Sequence, residues 1–234
     1  MYIVRIEKLR LVILAGQLHK IGLRDLHGAS GKKANNINLV TAGHYLPIVI
    51  ESIKRARKSG LTIPIVYNSS GYEKVEAIEA LDGIVDIFLP DFKYISSEMA
   101  ARYSNAPDYP EIAKRALAQM VKQTGDAKFD ERDMMKRGVI VRHLILPGHI
   151  KESKEAIRYL YETYGDQIYI SIMNQYTPMP GIEKRFKNLG RTITQKEYDE
   201  VVDYAIDLGV ENGFIQEGET AKESFIPQFD DTGL

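Results

Sequence analysis

The stretch Ile63-Pro-Ile-Val-Tyr67, followed directly by Asn68-Ser-Ser-Gly71, decides the fold class of this chain. A short apolar run rich in β-branched residues predicts a buried strand, and small polar residues after it are typical of a turn. A helix is predicted next, near residues 73–81, and then another strand at Val85-Asp-Ile-Phe-Leu89. This alternation of strand and helix indicates βα units and a parallel sheet.

The same alternation extends in both directions along the chain. Strands are predicted at residues 37–41, 63–67, 85–89, 139–146 and 167–173. Helices are predicted at residues 45–58, 73–81, 97–103, 110–123, 152–164 and 194–208. Gly60 is a natural cap for the first of these helices, and Gly138 and Pro147-Gly148 bound the fourth strand. The pattern predicts an α/β fold, either an incomplete parallel barrel or an open doubly wound sheet, because periodicity does not separate these two.

Composition narrows the class of partner. The chain has 234 residues, 44% of them hydrophobic, and 31 basic side chains against 32 acidic ones. This balance gives no electrostatic reason to expect nucleic acid or an acidic membrane as a partner. No apolar run approaches the roughly 20 residues that span a bilayer. The apolar run near the N-terminus is interrupted by charges, so we expect a cytoplasmic protein rather than a secreted one.

The first 34 residues differ from the rest. Gly28-Ala-Ser-Gly-Lys-Lys33 is rich in helix breakers, at a place where a barrel needs a helix that leads into the next strand. We therefore divide the chain into an atypical N-terminal segment, 1–34, and a barrel domain, 35–234. The chain also has no cysteine, which excludes disulfides, thiolate metal sites and thiol nucleophiles.

Candidate functional residues follow the predicted strands, because the carboxyl ends of parallel strands meet at one mouth. These ends carry Thr41-Ala-Gly-His44, Asn68-Ser-Ser-Gly71, Asp91-Phe-Lys93, Pro147-Gly-His149 and Asn174-Gln-Tyr-Thr177. Asp91 and Lys93 are two residues apart and point to the same side of an extended chain. Such a pair can clamp an amino acid through its amine and carboxylate, or it can be an ordinary surface salt bridge.

The other candidates also leave two interpretations open. Asn68 and Ser69 offer polar groups to a ribose or carboxylate, yet the same letters are ordinary turn chemistry. His44 has no second histidine at a metal-ligand spacing, so a supporting or capping role is expected, and no metal site is predicted. Arg142 and His143 alternate along a strand, so one of the two faces away from the barrel interior; we expect Arg142 to face the interior, although the apolar Ile140 and Leu144 share its face.

Several runs taken together resemble one family, the radical S-adenosylmethionine (SAM) proteins similar to pyruvate formate-lyase activating enzyme. The resemblance covers about residues 35–229. Its runs are Asn35-Asn-Ile-Asn-Leu-Val-Thr41, Ile63-Pro-Ile-Val-Tyr-Asn-Ser-Ser-Gly-Tyr72, Val85-Asp-Ile-Phe-Leu-Pro-Asp-Phe-Lys-Tyr94, Arg137-Gly-Val-Ile-Val-Arg-His-Leu-Ile-Leu-Pro-Gly148 and Ile170-Ser-Ile-Met-Asn-Gln-Tyr-Thr-Pro178. The tail segments Gly213-Phe-Ile-Gln216 and Ser224-Phe-Ile-Pro227 resemble the family's closing segment.

The resemblance implies a partial (β/α)6 barrel and an oxidoreductase. A [4Fe-4S] cluster on a C-x-x-x-C-x-x-C loop binds and reductively cleaves SAM, and the resulting radical abstracts hydrogen from a target such as a glycyl-radical enzyme. It also implies that the loop with Thr41, Gly43 and His44 meets the SAM amino group. Asp91 and Lys93 match the family's D-x-K element near the SAM carboxylate, and Asn68 and Ser69 complete the set of cofactor-binding candidates. No catalytic residue is assigned.

This chain departs from the family at the cluster. The cluster loop and first strand belong before Ile37, and they are missing or altered here because no cysteine is present. His19 and His27 do not rebuild the ligand set. A frameshifted or replaced start, a lineage that lost radical chemistry, and a split protein whose cluster lies on a separate chain all explain this. The abrupt boundary near Lys33 favours the first.

The sequence thus predicts a cluster-deficient, activating-enzyme-like radical SAM protein. A non-catalytic barrel module that binds SAM or another protein is the alternative. Loss of the first strand is also expected to expose an edge of the barrel.

Overall fold

The computed structural model describes residues 10–14, 35–40 and 42–215. Its strands are β1 Arg10–Leu14, β2 Asn36–Val40, β3 Ile65–Ser69, β4 Ile87–Pro90, β5 Lys128–Phe129, β6 Met135–Leu144, β7 Tyr169–Met173 and β8 Gly213–Ile215. Its α-helices are α1 Leu46–Lys58, α2 Val75–Glu79, α3 Ser97–Ser104, α4 Tyr109–Thr124, α5 Ile150–Tyr164 and α6 Gln195–Leu208. Short 3₁₀ helices lie at Ala42–Tyr45, Gly165–Gln167, Ile182–Lys184 and Lys187–Gly190. None of the helices in these ranges is long and apolar enough to cross a membrane.

The strand order decides between the two architectures that the sequence left open. Neighbours in the sheet run β1-β2-β3-β4-β6-β7-β8, all parallel, and β5 pairs antiparallel with β6. A doubly wound sheet reverses its strand order at a switch point, and this order does not reverse. Successive crossovers of one hand curl such a sheet toward a barrel. The prediction of a partial parallel barrel is therefore confirmed.

A strand, β1, occupies the place before β2 where the sequence analysis expected the first strand of the barrel to be missing or altered. Arg10–Leu14 pairs in parallel with β2, from Arg10 opposite Asn36 to Leu14 opposite Val40. The first strand is thus altered in sequence and not missing, and the edge of β2 that we expected to be exposed has a partner. The breaker-rich stretch at residues 28–33, the two histidines His19 and His27, and the closing segment after residue 215 lie outside the described residues.

Alternate residues of each strand face two different apolar layers. One layer lies between the sheet and the helices and includes Ile65, Tyr67, Phe88 and Ile157, each no more than 1% exposed. The other lies inside the barrel and is formed by Val66, Ile87, Leu89 and Ile140, with Met135, Tyr169 and Phe214 packed against them. The interior is thus a packed core below its polar mouth.

The hairpin of β5 and β6, which the sequence pattern did not predict, lies at the opposite end of the barrel from the mouth. Phe129 of β5 packs edge-on against Tyr169, with ring centroids 5.4 Å apart, and Tyr169 packs against Phe214 at the same distance. Gly138 lies inside β6 instead of opening it, with φ at +139°. A Cβ there would lie 3.1 Å from the Cα of Ala127, so this close approach favours glycine.

The packing of the helix-facing layer predicts that two isoleucines contribute very differently to the free energy of unfolding. Ile157 of α5 is fully buried, whereas Ile206 of α6 is 52% exposed. Ile157→Ala should lower the free energy of unfolding by about 2–5 kcal/mol, because it removes buried methylenes and leaves a cavity. Ile206→Ala is the matched control and should cost less than about 1 kcal/mol. Urea denaturation measures both, and equal losses would contradict the described packing of α5.

Candidate functional site

Two cavities open at the mouth of the barrel, where β2, β3, β4, β6 and β7 end. The first cavity, of about 240 Å³, is lined by Val40, Ala42, Gly43, His44, Tyr67, Asn68, Ser69, Ser70, Glu73 and Asp91. The second cavity, of about 300 Å³, is lined by Asp91, Lys93, Tyr94, Ser104, Arg142, Leu144, Leu146, Met173 and Tyr176. Asp91 lines both, so its carboxylate marks the boundary between them.

Six of the seven predicted site residues therefore lie at this mouth. Gly43, His44, Asn68, Ser69 and Asp91 line the first cavity, whereas Lys93 lines the second. Thr41 lies outside the described residues. His44 is exposed on the 3₁₀ helix Ala42–Tyr45. The prediction that these polar strand ends converge agrees with this placement, while their role toward a cofactor stays a prediction.

The Asp91 carboxylate is the electrostatic centre of the mouth. Its Oδ1 lies 2.6 Å from the Nη2 of Arg142, and its Oδ2 lies 3.5 Å from the Nζ of Lys93. The same Arg142 nitrogen donates to the Oδ1 of Asn68 at 2.7 Å. The side chains of Asp91 and Arg142 are 21% and 24% exposed, so water screens this pair less than a surface ion pair. The network joins the ends of β3, β4 and β6.

Arg142 belongs to the site although it was not among the predicted site residues. The sequence did predict that it faces the interior, and the structure confirms that orientation, since Arg142 lines the second cavity. His143 points the other way and is 1% exposed. Arg142 lies directly across from Asp91 in a parallel bridge. The pairing register of β4 and β6 would have identified it as a site residue, and the sequence pattern does not reveal that register.

Ser69 is bound within its own loop. Its hydroxyl donates to the Oε2 of Glu73 at 2.8 Å and accepts the N–H of Gly71 at 3.0 Å. Burial raises the pKa of Glu73, although the hydrogen bonds from Ser69 and the Ser70 backbone oppose this. Glu73 thus brings a second carboxyl group to the first cavity. Nothing in the sequence pattern distinguished it from a residue that starts a helix.

The loops after β3 and β4 are fixed to each other by Gly71 and Tyr109. Gly71 has φ at +78°, and a Cβ on it would collide with the carbonyl oxygen of Asp91. The buried hydroxyl of Tyr109 accepts the N–H of Lys93 at 3.0 Å, and it donates toward the carbonyl oxygens of Ser70 and Asp91, which lie 2.9 and 3.0 Å away. Burial raises the pKa of Tyr109, so the hydroxyl keeps its proton as a donor.

Helix α5 holds the same β4 loop from the other side. The Oε1 of Glu152 accepts the N–H groups of Ile95 at 2.7 Å and Ser96 at 2.8 Å. His143 donates from Nδ1 to the carbonyl oxygen of Phe92 at 2.7 Å, and its Nε2 accepts the hydroxyl of Ser153 at 3.0 Å. This assignment follows because a carbonyl only accepts. Burial lowers the pKa of His143, which favours the neutral ring.

The residues present do not fit an iron–sulfur cluster. Such clusters are held by cysteine thiolates, and this chain has no cysteine. Within residues 35–40 and 42–215, no three histidine, aspartate or glutamate side chains come together as a metal site. The amino acid part of SAM is different, because it needs one anionic and one cationic partner. Asp91, Lys93 and Arg142 supply both.

Comparisons with known proteins support the fold. No protein-family model matches the chain. An uncharacterized protein of Methanocaldococcus jannaschii is 30% identical over 172 residues, which are 74% of this chain and 46% of that protein. The chain thus spans about half the length of this relative.

Two solved structures share the architecture. A domain of a pyruvate formate-lyase-activating enzyme from Bacteroides vulgatus aligns with a TM-score of 0.54 and 13% identity, over 76% of this chain and 95% of that one. HydG, a maturase of the [FeFe]-hydrogenase, aligns with the same TM-score and identity, over 90% of this chain and 47% of that one. The chain has a radical SAM-like fold, and at this identity the likeness concerns the fold alone.

The buried position of Glu152 predicts a strong effect on stability. Glu152→Ala leaves two backbone N–H groups near Ile95 without an acceptor and should lower the free energy of unfolding by roughly 2–3 kcal/mol. Glu152→Gln keeps a carbonyl acceptor and should recover about half of that loss. The control is Glu155→Ala on the same helix, whose long ion pair with Lys151 is solvent-exposed and should matter by less than about 0.5 kcal/mol. Urea denaturation of the three variants decides. A Glu152→Ala loss no larger than the Glu155→Ala loss would show that the carboxylate does not hold the loop.

Proposed function

We propose that this chain is an activating-enzyme-like radical SAM protein that binds SAM at the mouth of its barrel but lacks its own cluster ligands. The observation that carries the proposal is the Asp91 carboxylate, held between Lys93 and Arg142 where the two cavities meet. The radical SAM-like fold provides the setting. Of the residues implied by the family resemblance, Gly43, His44 and Asp91 line the first cavity and Lys93 lines the second.

The distribution of charge supports a zwitterionic ligand. The first cavity has carboxyl groups from Glu73 and Asp91, whereas the second has the cations Lys93 and Arg142. An amino acid bound across Asp91 would place its ammonium group toward the first set and its carboxylate toward the second. The methionine part of SAM has these two groups.

The remaining predicted residues are proposed to surround the rest of SAM. Gly43 and His44, on the 3₁₀ helix after β2, and Thr41 before it are proposed to approach the amino group. Asn68 and Ser69 are proposed to complete the wall, although their side chains already hydrogen-bond to Arg142 and Glu73. These two side chains would then act mainly by holding the charged groups in place.

Without a cluster of its own, the chain is proposed to bind SAM and not to cleave it. SAM supplies a radical only when an electron is delivered to it, and the cluster is the group that delivers it in this family. A separate chain carrying the cluster would therefore be needed for activity. By the family resemblance, the target would be a protein of the glycyl-radical type and the setting the cytoplasm. If no such chain exists, the protein is a non-catalytic SAM-binding module.

SAM binding is expected to be weak and to depend on the two charged residues of the D-x-K element. Without an iron to chelate its amino and carboxylate groups, SAM should bind with a dissociation constant above about 1 µM. Asp91→Ala and Lys93→Ala should each weaken binding by about tenfold, because each removes a charged contact. Isothermal titration calorimetry with the full chain measures the constants.

Matched controls for these variants are Asp82→Ala and Lys151→Ala, whose side chains are exposed away from the cavities. Both should bind SAM like the unmodified chain. Submicromolar binding would contradict the weak-affinity claim. Equal binding by Asp91→Ala, Lys93→Ala and the controls would remove the pair from the site.

The absence of cysteine also predicts the outcome of cluster reconstitution. After anaerobic incubation with iron and sulfide and removal of excess reagents, the chain should show no cluster absorbance and, after reduction, no cluster EPR signal. A cysteine-containing radical SAM protein treated in parallel shows that the procedure works. A stoichiometric cluster signal from this chain would overturn the claim of cluster deficiency.

A further inference from the structure

A cluster of basic and aromatic side chains lies at the mouth of the barrel, outside the residues that line the two cavities. Arg102 and Tyr103 come from the last turn of α3, and His149 comes from the loop after β6. Arg185 and Phe186 come from the loop after β7, between two 3₁₀ helices. We call these five residues the basic rim.

Contacts between rings hold the basic rim together. Tyr103 packs edge-on against Phe186, with ring centroids 4.9 Å apart, and against His149, with centroids 5.3 Å apart. The hydroxyl of Tyr103 is also 2.8 Å from the Nε2 of His149. The same β7 loop reaches the second cavity, because Tyr176 lines that cavity and donates to the carbonyl oxygen of Leu189. The rim is therefore a fixed surface beside the second cavity.

The two arginines of the rim are held in position, and their charge is not neutralised. The guanidinium carbon of Arg102 lies 5.4 Å from the ring centroid of Tyr103, and that of Arg185 lies 4.9 Å from the ring centroid of Phe186. Such a contact orients a guanidinium and leaves its positive charge in place. Both arginines are exposed, and within residues 42–215 neither forms an ion pair with a carboxylate. They are available to an anionic partner.

Positive charge is in excess around the rim. The exposed carboxylates of α3 and of the 3₁₀ segments in the β7 loop are Glu98 and Glu183. Two other carboxylates near the rim are already bound, Glu197 by Arg191 and Glu152 by backbone N–H groups of the β4 loop. The exposed cations of α3 and these 3₁₀ segments are Arg102, Lys184, Arg185 and Lys187.

Two features favour a protein partner over a nucleic acid. Met179, in the same loop, is 71% exposed, and a turn joins it to Ile182, just before the basic residues. Exposed methionine, arginine and aromatic side chains are typical of protein interfaces. The rings of Tyr103 and Phe186 contact each other and the two arginines, so little ring face is left for a base to stack on.

We propose that the basic rim docks an acidic segment of a partner protein beside the second cavity. Carboxylates of that segment pair with Arg102 and Arg185, assisted by the lysines of the β7 loop, and an apolar side chain contacts Met179. This site differs from the one proposed for SAM, since neither Lys93 nor Arg142 takes part in it. The inference goes beyond the proposed function and does not need SAM to bind.

Fluorescence anisotropy of the full chain with a labelled acidic peptide tests this proposal. The probe is a short peptide of Glu-Glu-Leu repeats, and in the control peptide Gln replaces every Glu. The acidic peptide should bind at low salt, and the control peptide should bind at least about tenfold more weakly, because it cannot form ion pairs. Added salt should weaken binding of the acidic peptide, because it screens exposed charges.

A double variant tests the two arginines. Arg102→Gln combined with Arg185→Gln should weaken binding of the acidic peptide by about tenfold, because both guanidinium contacts are lost. The matched control combines Lys122→Gln with Arg158→Gln, which removes the same charge from exposed positions on α4 and α5 and should leave binding unchanged. Met179→Ser should weaken binding about twofold by removing apolar contact. Equal losses in the two double variants would show a response to overall charge and would overturn the proposal.

A second double variant guards against misfolding. Lys184→Gln combined with Lys187→Gln leaves the ring contacts of the rim intact and should weaken binding of the acidic peptide several-fold, while circular dichroism shows that the fold is kept. Unchanged binding by the arginine variant or, where that variant misfolds, by the lysine variant would contradict the docking surface. Equal binding of the acidic and control peptides would contradict it too. Tighter binding of a labelled oligothymidine than of the acidic peptide, lost in the same variants, would replace the proposal with a nucleic-acid site.

Titrations with SAM separate this proposal from the proposed function. The arginine double variant should bind SAM like the unmodified chain, whereas loss of SAM binding would assign Arg102 and Arg185 to the SAM site and overturn the separate surface. If the acidic peptide binds and SAM does not, the proposed function fails and this inference stands. If SAM binds and the peptide does not, the reverse holds.

Discussion

The ion pair between Asp91 and Arg142 is the interaction on which the mouth of this barrel depends. The backbone ladder places the two residues opposite each other, since the Asp91 N–H bonds to the carbonyl of Ser69 and the Phe92 N–H to that of Arg142. Their side chains then meet at 2.6 Å over the barrel interior. Loss of either partner would leave the other charge partly desolvated and unpaired above an apolar core, so each residue offsets the desolvation cost of the other. The division into two cavities follows from this pair.

The loops that carry the charged groups are held by groups outside the mouth. Tyr109, on α4, binds the backbone of both the β3 and β4 loops, and Glu152, on α5, binds the β4 loop two residues beyond Lys93. His143 of β6 adds a bond to Phe92 and is itself bound to α5 through Ser153. These contacts come from buried groups, so the charged side chains project from a backbone that has little freedom to rearrange. Such preorganisation lowers the cost of ordering a binding site when a ligand arrives.

Local patterns were sufficient for much of the fold and for part of the site. Each predicted strand and helix is present with bounds shifted by a few residues, because apolar runs and helix caps such as Thr194 are signals of nearby residues. The two-residue spacing of Asp91 and Lys93 was visible for the same reason. Strand β5 has only two residues and β8 three, too few for a periodic pattern. Arg142, Glu73 and Glu152 were missed as site residues because their partners are set by register or helix packing, which local sequence does not encode.

The cysteine-free segment before Ile37 is separate in the fold from the contacts that hold the charged side chains at the mouth. Because β1 runs parallel to β2 in register, its carboxyl end lies at the same edge of the sheet as Val40, where the family's cluster loop would begin. Among the described residues, the hydrogen bonds and ion pairs that fix Asp91, Lys93 and Arg142 come from β3, β4, β6 and the helices, downstream of that edge. A segment after β1 without cysteine therefore supplies no thiolate ligand and leaves these contacts in place. The charged groups proposed to hold an amino acid and the loop that the resemblance assigns to a cluster therefore come from different parts of the chain, so the charged groups keep their arrangement without cluster ligands.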